Sequence, residues 1–417
     1  MMDARIQHKR AVEALRSGVP NRDAVRELGT TQEEIERRFE ERLRAAEEGQ
    51  HTGGLVVSGD FGSGKSHLLE YLKHRALERW FVASKVVISK ETPLYDPAKL
   101  FRTAATNATV PNRAGSAVKE IARSLNFQSE RYASFYRWVN APETGLNDRF
   151  GASLYLFEQT RSDLEFEDRI VRFWSGDPIS VPELRRKLRE CGASMAWAFS
   201  KLSARELAVQ RFRFLAGLIR GAGYAGWVIL IDEVELVGRY SLLQRGRSYA
   251  EITRWVRGFD SEPLPGVVSV LTISDDFDAA VLHEKNDIDE VPNRFRARGT
   301  EEDELIAERA EQGMRIVEGE RLRLASPSEA SLAQTYERLR QLYADAYAWQ
   351  PPDPGGAWAR GSRRMREYVR SWITEWDLRR LYPDYRPEIE IEPWEPGYEE
   401  QPDLESPPED DGADPIP

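Results

Sequence analysis

A glycine-rich segment, Gly59-Asp-Phe-Gly-Ser-Gly-Lys65-Ser66, has the clearest potential for chemistry in this chain. It fits the pattern G-x-x-x-x-G-K-[ST] at every fixed position. Such a loop points backbone N–H groups and the positive end of the following helix at a phosphate. Lys65 would bridge the β- and γ-phosphates of a nucleotide, and Ser66 would offer its hydroxyl to Mg²⁺. The alternative is a glycine turn that binds nothing. The predicted ligands are ATP and Mg²⁺, and the predicted nucleotide-binding residues of the loop are Gly59, Asp60, Phe61, Gly62, Ser63, Gly64, Lys65, Ser66 and His67.

Two acidic residues follow an apolar segment in Val228-Ile-Leu-Ile-Asp232-Glu233. In P-loop nucleotide hydrolases an acid at the end of such a strand holds Mg²⁺, and we assign this role to Asp232. Glu233 would polarise the attacking water as a general base. Many P-loop kinases lack a residue in this role. Acids at a strand end are otherwise ordinary solvated residues. The upstream loop is what favours the catalytic interpretation.

The composition indicates a globular protein with a heavily charged surface. Apolar residues make up 41% of the chain and charged residues 31%, which is enough apolar material for a buried core. Cys191 is the only cysteine, which excludes a disulfide framework or a zinc site built on several thiolates. The longest apolar run, 227–231, is far below the roughly 20 residues that a bilayer requires. The sequence predicts no membrane span, no signal peptide and a cytoplasmic location.

The net charge of −11 arises at the C-terminal end of the chain. Residues 386–417 contain twelve acidic residues and one arginine, and residues 1–385 contain 58 acids and 58 bases. A segment so acidic and rich in proline cannot bury enough apolar surface to order itself, so it is predicted to be disordered.

Alternating strands and helices predict an α/β fold. Apolar runs predict strands at 55–57, 81–89, 227–231 and 266–274, with a helix over 64–80. Buried apolar strands of this kind are typical of a parallel sheet. The interval between the second and third strands is much longer than one crossover helix requires, so a helical insertion is predicted. Its most periodic parts are 182–191 and 203–220.

Helices are also predicted on both sides of this core. Residues 3–17 and 31–47 have helical periodicity, and Thr31 with Glu34 matches a capping box. Residues 327–347 and 362–380 would form a C-terminal lid. The fold class is thus a P-loop NTPase with a helical insertion and a helical lid. The predicted parts are an N-terminal helical segment at 1–50, a core at 51–300 with the insertion at about 100–220, a lid at 301–385 and the acidic tail at 386–417.

Further polar residues lie where AAA-type ATPases place sensors and arginine fingers. Thr272 and Ser274 end the fourth strand, and either one could touch the γ-phosphate or the attacking water; the exposed face of a strand is the alternative. Arg294 lies in Val291–Arg298, where a finger could reach a neighbouring subunit. A solvated basic loop would look the same. Arg364, in Gly361–Arg366, is the favoured sensor 2 arginine, against a surface role.

Four segments together resemble the P-loop ATP-binding proteins of BREX phage-defence systems. They are Gly18–Arg22, Gly59–Ser66, Lys85–Pro97 and Ile231–Glu235. The resemblance implies an AAA-type fold near the initiator and STAND branches, in which a Val-Pro box lies against the adenine. Val19 and Pro20 would then contact the base, although ordinary packing also accounts for them. Lys90–Thr92 follows the second strand, and Asp96 with Pro97 is typical of a helix start.

The insertion has a basic character. Arg169–Arg220 contains eleven basic residues and four acids, interleaved with aromatic residues. This pattern is typical of a nucleic-acid groove, of a surface for a partner protein, and of a helical core with solvated arginines. The acidic tail could cover such a basic surface until displaced.

The resemblance and the motifs predict an ATPase of a phage-defence system that couples its nucleotide state to DNA or to a partner protein. The expected partners are other defence proteins, including a helicase, and double-stranded DNA; hydrolysis in trans would require a homo-oligomer. A second hypothesis is a nucleotide-gated scaffold with little hydrolysis. A third, a P-loop kinase, is disfavoured by the Asp232-Glu233 pair and the long insertion.

Overall fold

A six-stranded sheet lies at the centre of the fold in the computed structural model. The structure describes residues 2–18, 22–50, 52–113, 115–160, 162–193, 197–258, 266–352 and 365–384. Its strands lie in the order β3-β2-β4-β5-β1-β6. Their bounds are β1 Leu55–Ser58, β2 Val82–Val87, β3 Ala108–Thr109, β4 Trp227–Asp232, β5 Val267–Ile273 and β6 Leu322–Arg323.

The four predicted strands are confirmed, to within two residues at each end. All neighbouring pairs run parallel except β2 and β3, so the expectation of a purely parallel sheet is wrong at this edge. Every residue of β1 and β4 is buried, because helices cover both faces of the sheet.

Sixteen α-helices surround the sheet in the described residues. The insertion between β2 and β4 is helical as predicted, apart from β3 and a short 3₁₀ turn. The helices are α1 Met2–Ser17, α2 Arg22–Leu28, α3 Glu33–Glu47, α4 Lys65–Glu78, α5 Pro97–Thr106, α6 Ala117–Arg123, α7 Glu130–Val139, α8 Asp148–Gln159, α9 Leu164–Ser175, α10 Val181–Glu190, α11 Ala204–Gly221, α12 Leu242–Arg257, α13 Asp287–Arg296, α14 Glu301–Gly319, α15 Glu329–Tyr347 and α16 Met365–Leu381. None of these helices is long and apolar enough to cross a membrane.

Two helix starts test the capping predictions. Asp96 accepts hydrogen bonds from the backbone N–H groups of Ala98 and Lys99, with Pro97 in the first position of α5, as predicted. The cap at Thr31 is wrong, because α3 begins one residue later and Gln32 is its N-cap. The Gln32 side chain instead forms two hydrogen bonds with the backbone of Ala325.

Alternating residues of the central strands belong to two different hydrophobic cores. Val228 and Leu230 of β4 pack with α3 and α4, whereas Ile229 and Ile231 pack with the insertion helices and with α12 to α14. This alternation follows from the period of two in a strand. The site at the carboxyl ends of the strands therefore rests on a sheet that is rigidly packed on both faces.

A third core joins the two ends of the described chain. Apolar residues of α1 and α2 pack against α15 and α16, and Arg16 forms an ion pair with Asp377 at 2.7 Å. The N-terminal helices thus lie on the predicted lid helices. The boundaries of the four predicted parts stay predictions, and the acidic tail lies outside the described residues.

A buried ion pair fastens α13 to α12. Nε of Arg245 donates to Asp287 Oδ2 at 2.8 Å, and the Tyr249 hydroxyl donates to the same oxygen at 2.6 Å. Arg245 also donates to the backbone oxygen of Tyr240. We expect Asp287→Asn to lower the free energy of unfolding by about 3 kcal/mol, because it leaves a buried guanidinium without its counter-charge.

Urea unfolding followed by circular dichroism measures this loss. Asp289→Asn is the matched control, since Asp289 is exposed on the same helix. Equal unfolding midpoints for the two variants would show that the pair contributes little.

Candidate functional site

The glycine-rich loop connects β1 to α4 at the carboxyl edge of the sheet. Gly62 and Gly64 adopt φ values of +80° and +109°, which favour glycine strongly. A Cβ at Gly59 would lie 2.6 Å from Ser63 Oγ and 2.7 Å from Leu324. The local backbone conformation or the lack of space for a Cβ therefore explains why each of these three positions is glycine. The loop ends at the first turn of α4, where free N–H groups can face an anion.

Lys65 lies against its own loop. Its Nζ donates to the backbone oxygen of Gly59 at 2.7 Å and lies 3.6 Å from Oε1 of Glu235. Both side chains are buried. The loop thus presents a buried positive charge beside a buried carboxyl group.

Asp232 lies at the end of β4 and contacts three neighbours. Thr272 of β5 donates to its Oδ1 at 2.7 Å, Lys85 of β2 lies 3.0 Å from its Oδ2, and Ser66 also forms a hydrogen bond with it. Burial alone raises the pKa of Asp232, but the charge of Lys85 and these hydrogen bonds outweigh burial and hold the pKa below its usual range. Asp232 is therefore a carboxylate at neutral pH.

Glu233 ends the strand in a conformation that few residues adopt. Its φ is +61° and its ψ +37°, a left-handed conformation that is strained for a non-glycine residue and is often found at functional sites. The residue is exposed. Its carboxyl group is nevertheless partly desolvated, and this burial together with the adjacent Asp232 raises its pKa against the opposing charges of Lys85 and Lys65. A raised pKa suits a group that accepts a proton.

Glu235 is the third acid at this edge. It is buried, and its Oε2 has no hydrogen-bond partner in the described part of the chain. Burial raises its pKa, while Lys65 opposes the shift. Glu235 therefore faces the loop lysine, whereas Glu233 faces the open side of the site.

These side chains line one small pocket of about 90 Å³. Six loop residues and the three acids surround it, together with Arg366 of α16. A second, largely apolar pocket of about 120 Å³ adjoins it, and Gly64 and Arg366 line both. Leu15, Leu28 and Val369 contribute to its apolar wall. The two pockets together offer a polar end for phosphates and an apolar end for a base.

A comparison with protein-family models matches residues 4–134 and 203–352 to the family described as BREX system ATP-binding protein BrxC/D. The match includes the loop, β2, β4 and β5. The chain belongs to this family. The stretch 135–202, which forms much of the insertion, lies between the two matched segments. A comparison with curated proteins found no match.

The predicted site residues of this BrxC/D-family protein, apart from Arg294, fall into three groups. The loop residues, Asp232 and Glu233 are brought together at one edge of the sheet. His67 lies on α4, where its Nε2 contacts the backbone oxygen of Gly29 at 2.8 Å and its ring lines the apolar pocket. Outside the described residues lie Val19, Pro20 and Arg364.

Arg294 does not line the pocket of its own chain. It is exposed on α13, so the segment is helical as far as Arg296 rather than a loop, while the alternative of a solvated surface arginine stays open. Pro292 lies inside that helix, which is why the sequence pattern resembled a loop. The role of Arg294 as a finger toward a neighbouring subunit stays a prediction.

Four residues at the site of this BrxC/D-family protein carried no firm prediction. Thr272 donates a hydrogen bond to Asp232 at the edge of the sheet where the loop lies. Lys85 and Glu235 lie in segments that carried the family resemblance, and this is the only signal that could have found them. Arg366 lies in the predicted sensor 2 segment, where Arg364 was favoured.

Arg366 connects α16 to the loop. Its backbone N–H donates to the oxygen of Gly62 at 3.4 Å, and its side chain lines both pockets. We expect Arg366→Ala to weaken ATP binding about tenfold, because a charge-assisted hydrogen bond to phosphate is lost. Titration calorimetry measures the affinity. Arg370→Ala, exposed on the same helix, is the control, and equal affinities for both variants would remove Arg366 from the site.

Proposed function

We propose that this protein binds ATP with Mg²⁺ at the loop 59–66 and hydrolyses it as an AAA-type ATPase of a BREX phage-defence system. The observation that carries the proposal is the contact of Ser66, Thr272 and Asp232 at the mouth of the loop. A hydroxyl group and an ionised carboxylate would then lie beside the terminal phosphates of a bound nucleotide. The family's name supports ATP as the ligand.

The donor set fits Mg²⁺. The ion prefers oxygen ligands and is usually held by one or two carboxylates together with substrate phosphates. Ser66 and Asp232 are such a set, and among the described residues no group of three or more His, Cys, Asp or Glu could hold a metal without phosphate. When bound, the ion would neutralise charge that develops on the phosphate oxygens.

The protein side chains would divide the remaining work. Lys65 would leave Gly59 and Glu235 to bind the phosphates, and the N–H groups of the loop would hold them in line. Glu233 would accept a proton from the attacking water, since it faces the open side of the pocket and has a raised pKa. Arg294 of a neighbouring copy would complete the charge stabilisation. Arg364 remains the proposed sensor 2 residue, and Val19 and Pro20 the proposed contacts of the base.

The order of strands supports the AAA-type assignment. Because β5 lies between β1 and β4, Thr272 stands between the phosphate loop and Asp232. The helices α15 and α16 adjoin the apolar pocket, as a lid over a base would. The proposed compartment is the cytoplasm. The proposed partners are other defence proteins, including a helicase, and double-stranded DNA.

One observation favours the second candidate, a nucleotide-gated scaffold that hydrolyses ATP very slowly. Lys65 is held by its own loop and by Glu235, and no arginine other than Arg366 lines the phosphate pocket among the described residues. A site without an arginine finger would bind ATP but hydrolyse it slowly until a partner protein supplies the missing charge.

Steady-state phosphate release by the purified protein distinguishes the two functions. It is measured with Mg²⁺ and ATP, with and without double-stranded DNA, while light scattering records the molecular mass. Turnover that rises with DNA or with self-association supports the ATPase. Tight ATP binding with negligible turnover under all these conditions would establish the scaffold.

A further inference from the structure

A second groove, of about 630 Å³, lies at the opposite edge of the sheet from the phosphate loop. Trp80 and Ala225 line it just before β2 and β4 begin, whereas the loop and the acids follow the strand ends. Its other walls come from α7 and α11. The groove is therefore separate from the nucleotide site and has its own chemistry.

An exposed indole ring lies in this groove, together with a second that is half-buried. Trp80 is 50% exposed, and its φ of +65° belongs to the C-terminal cap of α4, where the N–H groups of Trp80 and Phe81 donate to the backbone oxygens of Leu77 and Ala76. Its ring stacks on Tyr224 with a centroid distance of 6.3 Å. Across α7, Trp138 stacks on Phe135 at 6.2 Å. Each indole ring in the groove is therefore held in place by a neighbouring aromatic ring on one side.

Three arginines share the groove with these rings. Arg213 and Arg220 lie on one face of α11, at a spacing of seven residues, and Arg131 comes from α7. The guanidinium of Arg213 lies 6.0 Å from the Trp138 ring centre. Burial and the nearby Arg131 lower the pKa of Arg220, which reports like charges held close together. Such an arrangement favours an anion between them.

The two acids at the rim do not cancel this charge. Glu47 forms an ion pair with Arg79 at 2.7 Å, and Glu130 forms one with Arg137 at 3.3 Å. Neither partner lines the groove. The groove therefore keeps a positive balance beside its aromatic rings.

We propose that this groove binds single-stranded nucleic acid, with bases stacked on Trp80 and Trp138 and phosphates bound by Arg131, Arg213 and Arg220. Accessible aromatic rings together with a basic groove are what binding of single strands requires. A duplex hides the faces of its bases, so it would leave the indole rings unused. The proposal names a surface for the nucleic-acid contact suggested above, and it does not depend on ATP hydrolysis.

Fluorescence anisotropy with labelled oligo-dT and oligo-U, without nucleotide, tests the proposal. Trp80→Ala should weaken binding about tenfold or more, because one stacked base is lost, and Trp80→Phe should restore most of it. Arg131→Ala should reduce the slope of log K against log[salt] by roughly 0.7, as expected for one lost phosphate contact. Arg315→Ala, exposed on α14, should leave the slope unchanged. Comparing the two oligonucleotides distinguishes DNA from RNA.

Three outcomes would overturn the proposal. The first is no binding of either oligonucleotide by the full chain, and the second is binding that Trp80→Ala and Arg131→Ala leave unchanged. The third is a duplex bound as tightly as the single strand. If an acidic peptide binds in the groove and neither oligonucleotide displaces it, the groove belongs to a protein partner instead. Basal ATP turnover of Trp80→Ala, which should match the wild type, separates failure of this site from failure of the proposed ATPase.

Discussion

Glu233→Gln should bind ATP as the wild type does while its steady-state turnover falls about 100-fold or more. A general base contributes on this scale, and an amide cannot accept the proton of the attacking water. Glutamine keeps the size of the side chain, so the strained left-handed backbone at this position is not relieved. Phosphate release gives the turnover, and titration calorimetry gives the affinity. Glu308→Gln, an exposed change on α14, is the control.

The neighbouring acid offers a sharper test of this assignment. Glu235 lines the same pocket but is buried against Lys65, so it is less accessible to water than the exposed Glu233. We therefore expect Glu235→Gln to retain far more turnover than Glu233→Gln. The reverse order would transfer the role of base to Glu235. Loss of ATP binding in Glu233→Gln would instead show that this residue contributes to binding of ATP rather than only to the hydrolysis step.

The parts of the site that are local in sequence were predictable. The loop 59–66 carries its own conformational requirements in its glycines, and β4 is an apolar run that must be buried on both faces. Their order along the chain places Asp232 at the same sheet edge as Lys65, since parallel strands end together. The fold class and the central acids follow from these facts alone.

The remaining contacts depend on which strands and helices become neighbours. Nothing in the local pattern of β2 shows that Lys85 will reach Asp232, because only the pairing of β2 with β4, which sets Lys85 opposite Leu230, brings the two side chains together. Thr272 and Ser274 are two residues apart and share a face of the strand, so their periodicity could not separate them. Arg366 reaches the loop only because α16 packs on the N-terminal helices.

Short elements and helix starts were the least predictable features of the fold. The strands β3 and β6 have two residues each, which is too few for any periodic signal. Thr31 matched a capping box, but Gln32 is bound to Ala325 from a distant part of the chain. In both cases a tertiary contact decided the outcome over the local preference.

The second large effect is expected at Lys65. Lys65→Ala should weaken ATP binding by about 100-fold, because a buried ammonium that binds phosphate is removed. Calorimetry with Mg²⁺ and ATP measures this change. Lys73→Ala is the matched control, since Lys73 lies on the same helix two turns beyond the loop. Unchanged affinity in Lys65→Ala would exclude the loop as the phosphate site.

The position of Glu235 makes the Lys65 result open to a second explanation, which a double variant can test. Removing Lys65 leaves the buried Glu235 carboxyl without its opposing charge, and this cost could deform the loop. Lys65→Ala combined with Glu235→Gln removes that unpaired charge. If Lys65 binds phosphate directly, the double variant should recover stability against urea but still bind ATP weakly. Recovery of ATP affinity as well would show that Lys65 acts by neutralising Glu235.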